Sequence, residues 1–162
     1  MPNQITLSIT GIADLVIEPI TGSVRSPIDF LKSGDRTARG VATIQGVTAR
    51  KSIFIWKIEA RLLEWEYHRL RRIISTQQSL LATSPATAEI TLKDEFERLN
   101  SFDFDKNGRS IVSGSALTEF GETTYYCNFK VKASIPENAG VQLNAWAGQL
   151  SRTSVTLIIE EF

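Results

Sequence analysis

The chain has 162 residues, of which 42% are apolar and 22% are charged, so its size and composition are those of a globular domain that buries its own core. Lysine plus arginine equals aspartate plus glutamate at 18 each, which excludes a global field that would attract nucleic acid or an anionic membrane. One cysteine, Cys127, and one histidine, His68, exclude an intrachain disulfide and any metal site that needs several of either residue.

The N-terminal part combines strand patterns with a long irregular stretch. Apolar and polar residues alternate over residues 5–9, and shorter strands are predicted at 15–20 and 41–45. Residues 21–40 hold three glycines, one proline and few regularly spaced apolar positions, which predicts a loop. A loop of this length inside one domain is either functional or ordered by a partner. We therefore expect it to be the main arm between subunits, with these interface candidates: Arg25, Ile28, Phe30, Leu31, Arg36 and Arg39.

A long aromatic strand and the only clear helix follow. Residues 54–62 alternate between an apolar face, which includes Trp56, and a charged face. Residues 65–82 carry apolar side chains at spacings of three, four and seven, which predicts an amphipathic helix with Gln77 off its apolar stripe. The geometry of that helix divides its basic cluster between two faces. We therefore predict no nucleic-acid sequence recognition, and Arg69 and Arg72 become further candidates for a subunit interface.

A short acidic motif follows in the second half of the chain. Asp103, Asp105 and Asn107-Gly108 begin like a calcium-binding loop, in which the twelfth position is a glutamate that binds through both oxygens. That position is Gly114 here, and the flanking residues favour strands over helices. We therefore interpret Asn107-Gly108 as the tip of a β-hairpin, where both residues take positive φ angles.

The C-terminal part repeats the strand pattern. Its clearest alternation covers residues 125–135, where Cys127 is expected to be a small buried apolar residue. The apolar face from Tyr125 to Ile135 is expected to form the core with the apolar face of residues 54–62, and Leu70 and Ile74 of the helix should close one side. Residues 136–148 predict a loop in which Trp146 is the tryptophan most expected to be exposed. Additional strands are predicted at residues 89–93, 110–118 and 154–161, the last of which ties the C-terminus into the sheet.

The inventory of reactive residues argues against an enzyme. His68 lies on the predicted helix, and neither a serine-nucleophile elbow nor a glycine-rich phosphate loop is present. A pair of carboxylates brought together by the fold stays open as a catalytic arrangement. No signal peptide is visible, and no apolar run approaches the roughly 20 residues of a membrane-spanning helix. We expect a non-enzymatic protein without cofactor, metal or membrane span.

The order of these elements resembles a known family. The irregular stretch ends in RTARG (36–40), the aromatic strand reads FIWKIEARLL (54–63), one helix and several hairpins follow, and VTLIIEEF (155–162) closes the chain. In this order the chain resembles the tail-tube, distal-tail and baseplate structural proteins of tailed bacteriophages. The resemblance implies one mainly β domain over residues 1–162, an antiparallel β-sandwich or half-barrel flanked by one α-helix at about 65–82.

The same resemblance implies a function. The protein would be a structural subunit of a tail or baseplate that assembles with itself as a homo-oligomeric ring and contacts other tail or baseplate proteins. It would be located in the virion tail, and in the host cytoplasm during assembly. The alternative is a carbohydrate- or cell-surface-binding β-sandwich module of a fibre or adhesin. Five aromatic residues would supply its stacking platform: Trp56, Trp65, Trp146, Tyr125 and Tyr126.

Overall fold

A computed structural model describes residues 3–19, 24–28, 34–36, 42–44, 53–100, 109–136, 142–144 and 152–162. These residues form twelve strands, one α-helix and a short 3-10 turn at Pro85–Thr87. The strands of the N-terminal half are β1 (Ile5–Ile9), β2 (Ile12–Ile17), β3 (Val24–Ile28), β4 (Gly34–Arg36), β5 (Ala42–Ile44) and β6 (Ile53–Leu63). After helix α1 (Glu64–Thr83) come β7 (Ile90–Asn100), β8 (Ser110–Ile111), β9 (Leu117–Glu119), β10 (Glu122–Ser134), β11 (Gln142–Asn144) and β12 (Arg152–Glu161).

Ten of the strands belong to one antiparallel sheet. Its main path runs β2-β1-β7-β10-β12-β6-β3, with β11 beside β12, with β8 and β9 beside β10, and with β4 and β5 as a separate pair. The sheet curls into a half-barrel and is accompanied by one helix. The predicted mainly β fold class, an antiparallel half-barrel flanked by one α-helix, is therefore confirmed.

The curl brings the two margins of the sheet toward each other. β2 lies at one margin and β3 at the other, although only residues 18–23 separate them in sequence. Just after β2, Pro19 forms an isolated antiparallel bridge with Ala60 of β6, the strand next to β3. Because a six-residue segment spans at most about 20 Å, the end of β2 and the start of β3 lie close together.

The concave side of the sheet holds the core. Apolar residues alternate along the strands as predicted, and Trp56 lies 4.9 Å from Phe129 between ring centroids, with Phe54 6.0 Å from both rings. Most of the expected core is buried: Phe54, Trp56, Ile58, Leu62, Leu70, Ile74, Cys127, Phe129 and Val131. Tyr125 and Ile135, also expected there, are only partly buried against its edge.

Helix α1 packs its apolar stripe onto this core, in contact with β1, β2, β6, β10 and β12. It follows β6 directly, and the Glu66 carboxylate accepts a 2.7 Å hydrogen bond from the Leu63 N–H at the helix start. The helix ends at Thr83, because Pro85 disfavours helical geometry in the residue before it. The predicted bounds, 65–82, differ from the observed ones by one residue at each end.

Gln77 is a correction to the helix prediction. It was expected off the apolar stripe, yet it is 1% exposed. Its amide nitrogen donates to the carbonyls of Ala88 (2.9 Å) and Val131 (2.8 Å), and its amide oxygen accepts from the Ala133 N–H (3.0 Å). β7 begins at Ile90, which is opposite Val131, so it does not pair with β10 beyond that residue. There the Gln77 amide forms the hydrogen bonds to β10 in place of a strand. The spacing of apolar residues along a helix carries no information on backbone groups of a distant strand, so it could not predict that Gln77 is buried.

Some predicted bounds differ from the structure. Residues 21–40, predicted as a loop, include β3, which pairs with β6, and β4, which pairs with β5; residues 136–148 include β11. These strands are short, and β3 contains a proline, so periodicity did not reveal them. The predicted strand at 110–118 is divided into β8 and β9 by a turn in which Gly114 takes a φ of 73°.

Candidate functional site

The first half of α1 presents a basic and aromatic surface, which we call the helix patch and define as Trp65, Arg69 and Arg72. Trp65 is 54% exposed, and the Arg69 guanidinium carbon lies 4.8 Å from the centroid of its ring. Arg69 also donates to the carbonyl oxygen of Asp14 at 3.1 Å, so its side chain is held in place, while Arg72 is exposed. The predicted pair Arg69 and Arg72 therefore shares an accessible face of the helix.

The second exposed feature is the hairpin formed by β9 and the start of β10. Glu119 pairs with Glu122, so Phe120 and Gly121 make a two-residue loop. Their φ angles are 52° and 83°, as in a type I′ turn, which favours Asn-Gly. Phe120 is the one non-glycine residue with positive φ in the described part of the chain, and its side chain is fully exposed. The left-handed conformation costs a residue of this size roughly 1–2 kcal/mol.

The base of this hairpin is firmly held. Arg98 on β7 donates to the carbonyls of Ser115 (2.5 Å) and Thr124 (3.4 Å), and its guanidinium lies 4.1 Å from the centroid of the Tyr126 ring. The Ser115 hydroxyl oxygen accepts from the Tyr126 N–H at 3.1 Å. The hairpin is therefore preorganised, which lowers the entropic cost of binding through its tip.

Two carboxylates lie deep in the core, where a catalytic pair would be sought. Glu161 forms a bidentate pair with Arg109, at 2.6 and 2.7 Å, and accepts the Phe54 N–H at 3.0 Å. Asp94 accepts the indole N–H of Trp56 at 2.9 Å through one oxygen, and through the other it accepts the Phe96 N–H at 2.8 Å inside a bulge of β7. These contacts satisfy buried backbone and side-chain groups, so their geometry is that of structural support.

The other predicted interface residues are only partly described. Arg25 and Ile28 lie in β3, in register with Trp56 and Ile53 of β6, and Arg36 lies in β4 opposite Ala42. Phe30, Leu31 and Arg39 lie outside the described residues. The structure thus brings Arg69 and Arg72 together on α1 and assigns Arg25, Ile28 and Arg36 to strands rather than to an irregular loop.

Reactive and metal-ligating residues form no cluster in the described ranges. No group of three or more histidine, cysteine, aspartate or glutamate side chains there could hold a metal ion. His68 is exposed, with Nε2 3.7 Å from Glu64, and Cys127 is buried as predicted. The motif that begins at Asp103, with the predicted Asn107-Gly108 turn, lies outside the described residues. Within those ranges, no helix is long and apolar enough to cross a membrane.

The aromatic residues proposed as a stacking platform for the alternative function are dispersed. Trp56 is buried in the core, as its strand pattern predicted. Tyr125 packs against the core edge, Tyr126 is covered on one side by Arg98, and Trp65 is covered in part by Arg69. Trp146 lies outside the described residues. No two of the four described residues therefore form an open flat surface together.

Sequence reasoning missed Phe120. The segment Glu119-Phe120-Gly121-Glu122 sits between threonines, and a glycine flanked by strand-forming residues was the available signal for a hairpin tip. The more typical Asn107-Gly108 turn lies nearby, and the pattern over residues 110–118 predicts one continuous strand, so the sequence places the hairpin tip elsewhere. Comparison of the chain with protein-family models, curated proteins and solved structures gives no match.

Proposed function

We propose that this protein is a non-enzymatic structural subunit of a bacteriophage tail or baseplate that assembles as a homo-oligomeric ring. In this role it contacts copies of itself and other tail or baseplate proteins, in the virion tail and, before that, in the host cytoplasm. The observation that carries the proposal is the half-barrel with a single helix that follows the aromatic strand β6 directly. This is the arrangement that the resemblance to tail-tube and distal-tail proteins implies.

The described surface supports the proposal in a second way. The buried polar groups, including Gln77, Asp94 and the Arg109–Glu161 pair, are engaged in holding the fold. Six large apolar side chains are exposed in the described part of the chain. Besides Val16 and Phe162, these are four that lie at the helix patch and on the β8–β10 segment: Trp65, Ile111, Leu117 and Phe120. Exposed aromatic and arginine side chains are enriched at protein–protein interfaces. A ring-forming subunit uses such surfaces and needs no catalytic centre.

The test is the oligomeric state of the purified protein. Native mass spectrometry and size-exclusion chromatography with light scattering are expected to give one closed oligomer, and negative-stain microscopy to show rings. A monomer throughout the micromolar range would contradict the proposal. A monomer that bound a glycan array would instead support the carbohydrate-binding module of a fibre or adhesin.

A further inference from the structure

The tip of the β9–β10 hairpin carries a residue that its local structure does not require. Phe120 adopts a φ of 52°, a region that asparagine and glycine tolerate better, and it exposes its whole side chain to water. Asparagine at this position would relieve both disadvantages. A residue that violates the local preference for its position, on a hairpin whose base is held by Arg98, points to a role outside the subunit.

We propose that Phe120 anchors a head-to-tail contact in which the hairpin tip of one copy docks on the helix patch of the next copy. The inference rests on the proposed homo-oligomeric assembly and identifies the two surfaces that meet. Phe120 packs against Trp65, and the two carboxylates that flank it, Glu119 and Glu122, face Arg69 and Arg72. Aromatic packing at the centre with charged pairs around it is a common arrangement of binding hot spots.

The charges of the two surfaces are complementary. Residues 110–124, which include the whole hairpin, contain two carboxylates and no lysine or arginine. Helix α1 contains three arginines, Arg69, Arg71 and Arg72, and two glutamates in its first turn. Of these glutamates, Glu66 accepts the Leu63 N–H at the helix start, and Glu64 lies 3.7 Å from His68. The chain as a whole is neutral, so this separation is local. Arginine suits the contact because its planar guanidinium binds a carboxylate through two hydrogen bonds.

The two surfaces lie at opposite ends of the sheet, so one copy cannot satisfy both by folding back on itself. The tip of the hairpin lies just before the N-terminal end of β10, a strand of 13 residues that spans about 40 Å. At the other end, Ser134 of β10 is in register with Ile158 of β12, and β12 continues back to Arg152, which pairs with Leu63. α1 begins there. A contact between different patches at opposite ends is heterologous, and repeated it generates rings or stacks.

The first test replaces Phe120 by asparagine in the full chain. Phe120→Asn should retain the circular dichroism spectrum and melt at the same or a higher temperature, because Asn-Gly suits the turn. Analytical ultracentrifugation should nevertheless show self-association weakened about 10-fold or more, as for loss of an aromatic anchor. Val16→Asn is the matched control, because Val16 is an exposed apolar residue on β2. This variant should associate like the unchanged protein.

The second test reverses the charges of each surface separately. The hairpin variant Glu119→Arg/Glu122→Arg and the patch variant Arg69→Glu/Arg72→Glu should each fail to associate alone, since both of their surfaces then carry the same sign. Mixed in equal amounts they should associate again, because each hairpin meets a patch of opposite charge. Restored association supports the contact independently of Phe120.

The outcomes separate this contact from the proposed function. If the unchanged protein assembles and Phe120→Asn assembles equally well, the hairpin contact is wrong while the structural role stands. Loss of assembly in Val16→Asn but not in Phe120→Asn would move the interface to the sheet margin and overturn the inference. If the unchanged protein is a monomer, both the proposed function and this contact are contradicted.

Discussion

The side chain of Gln77 offers the sharpest test of how this fold is held together. Three buried backbone groups depend on one amide: the carbonyls of Ala88 and Val131 and the N–H of Ala133. Gln77→Leu keeps a side chain of similar size, so no large cavity is created. The change therefore tests the hydrogen bonds from the helix to Ala88 and to the C-terminal part of β10 separately from the apolar packing around them.

The expected loss follows from those three groups. A buried donor or acceptor left without a partner costs about 1–3 kcal/mol. Carbonyl oxygens have a second lone pair, and leucine gains by burial, so the lower end of that range applies. We expect Gln77→Leu to lower the free energy of unfolding by about 3 kcal/mol, a large part of the roughly 5–15 kcal/mol typical of a domain. Gln77→Glu should be comparably harmful although it is isosteric, because it removes the donor that faces two carbonyls.

Urea denaturation followed by circular dichroism measures this loss, with an unchanged dependence on denaturant as the sign that both variants unfold from the same compact state. The neighbouring Gln78 is exposed and provides the control: Gln78→Leu should change stability by less than about 0.5 kcal/mol. A loss below about 1 kcal/mol in Gln77→Leu would show that the amide does not replace a strand as the partner of β10.

Two further stability predictions concern the core. Phe129→Ala should lower the free energy of unfolding by about 3–5 kcal/mol, because the ring fills the space between Trp56 and Phe54, whereas an unchanged melting temperature would contradict the observed packing. Arg109→Met should cost about 3–5 kcal/mol, because Glu161 stays buried without its bidentate partner, and adding Glu161→Gln, which removes the charge but keeps an acceptor for the Phe54 N–H, should recover most of the loss in the same urea titration. Equal stability of the single and double variants would refute that account.

The sheet was largely predictable because its strongest signal is local. Alternation of apolar and polar residues depends only on the period of an extended chain, and it located β1, β6, β10 and β12 together with the buried faces that form the core. The helix was predictable for the same reason, since its apolar stripe and the following proline are both local features. The periodic segments thus carried the fold class.

What sequence reasoning missed depends on contacts between distant parts of the chain. The sequence predicts a loop where β3 lies, because the place of β3 in the sheet comes from pairing with β6, residues 24–28 against 53–57. Asp94 lies just beyond the strand predicted at residues 89–93, yet it holds a bulge in β7, which continues to Asn100, and it binds the indole of Trp56. The positions of Gln77 and Phe120 were not predicted for opposite reasons, because Gln77 is polar and buried while Phe120 is apolar and exposed.

These exceptions differ in one respect that bears on function. At two places where a ladder ends inside the core, a polar side chain from another element takes its place: Gln77 completes β10 beyond the start of β7, and the Glu161 carboxylate accepts the Phe54 N–H near the start of β6. Buried departures from the pattern are therefore explained within the subunit. Phe120 has no such explanation, since its positive φ costs stability and its exposed ring lowers solubility, and neither satisfies an internal group. A residue that burdens the isolated subunit in two ways is accounted for most simply by a contact that forms when subunits meet.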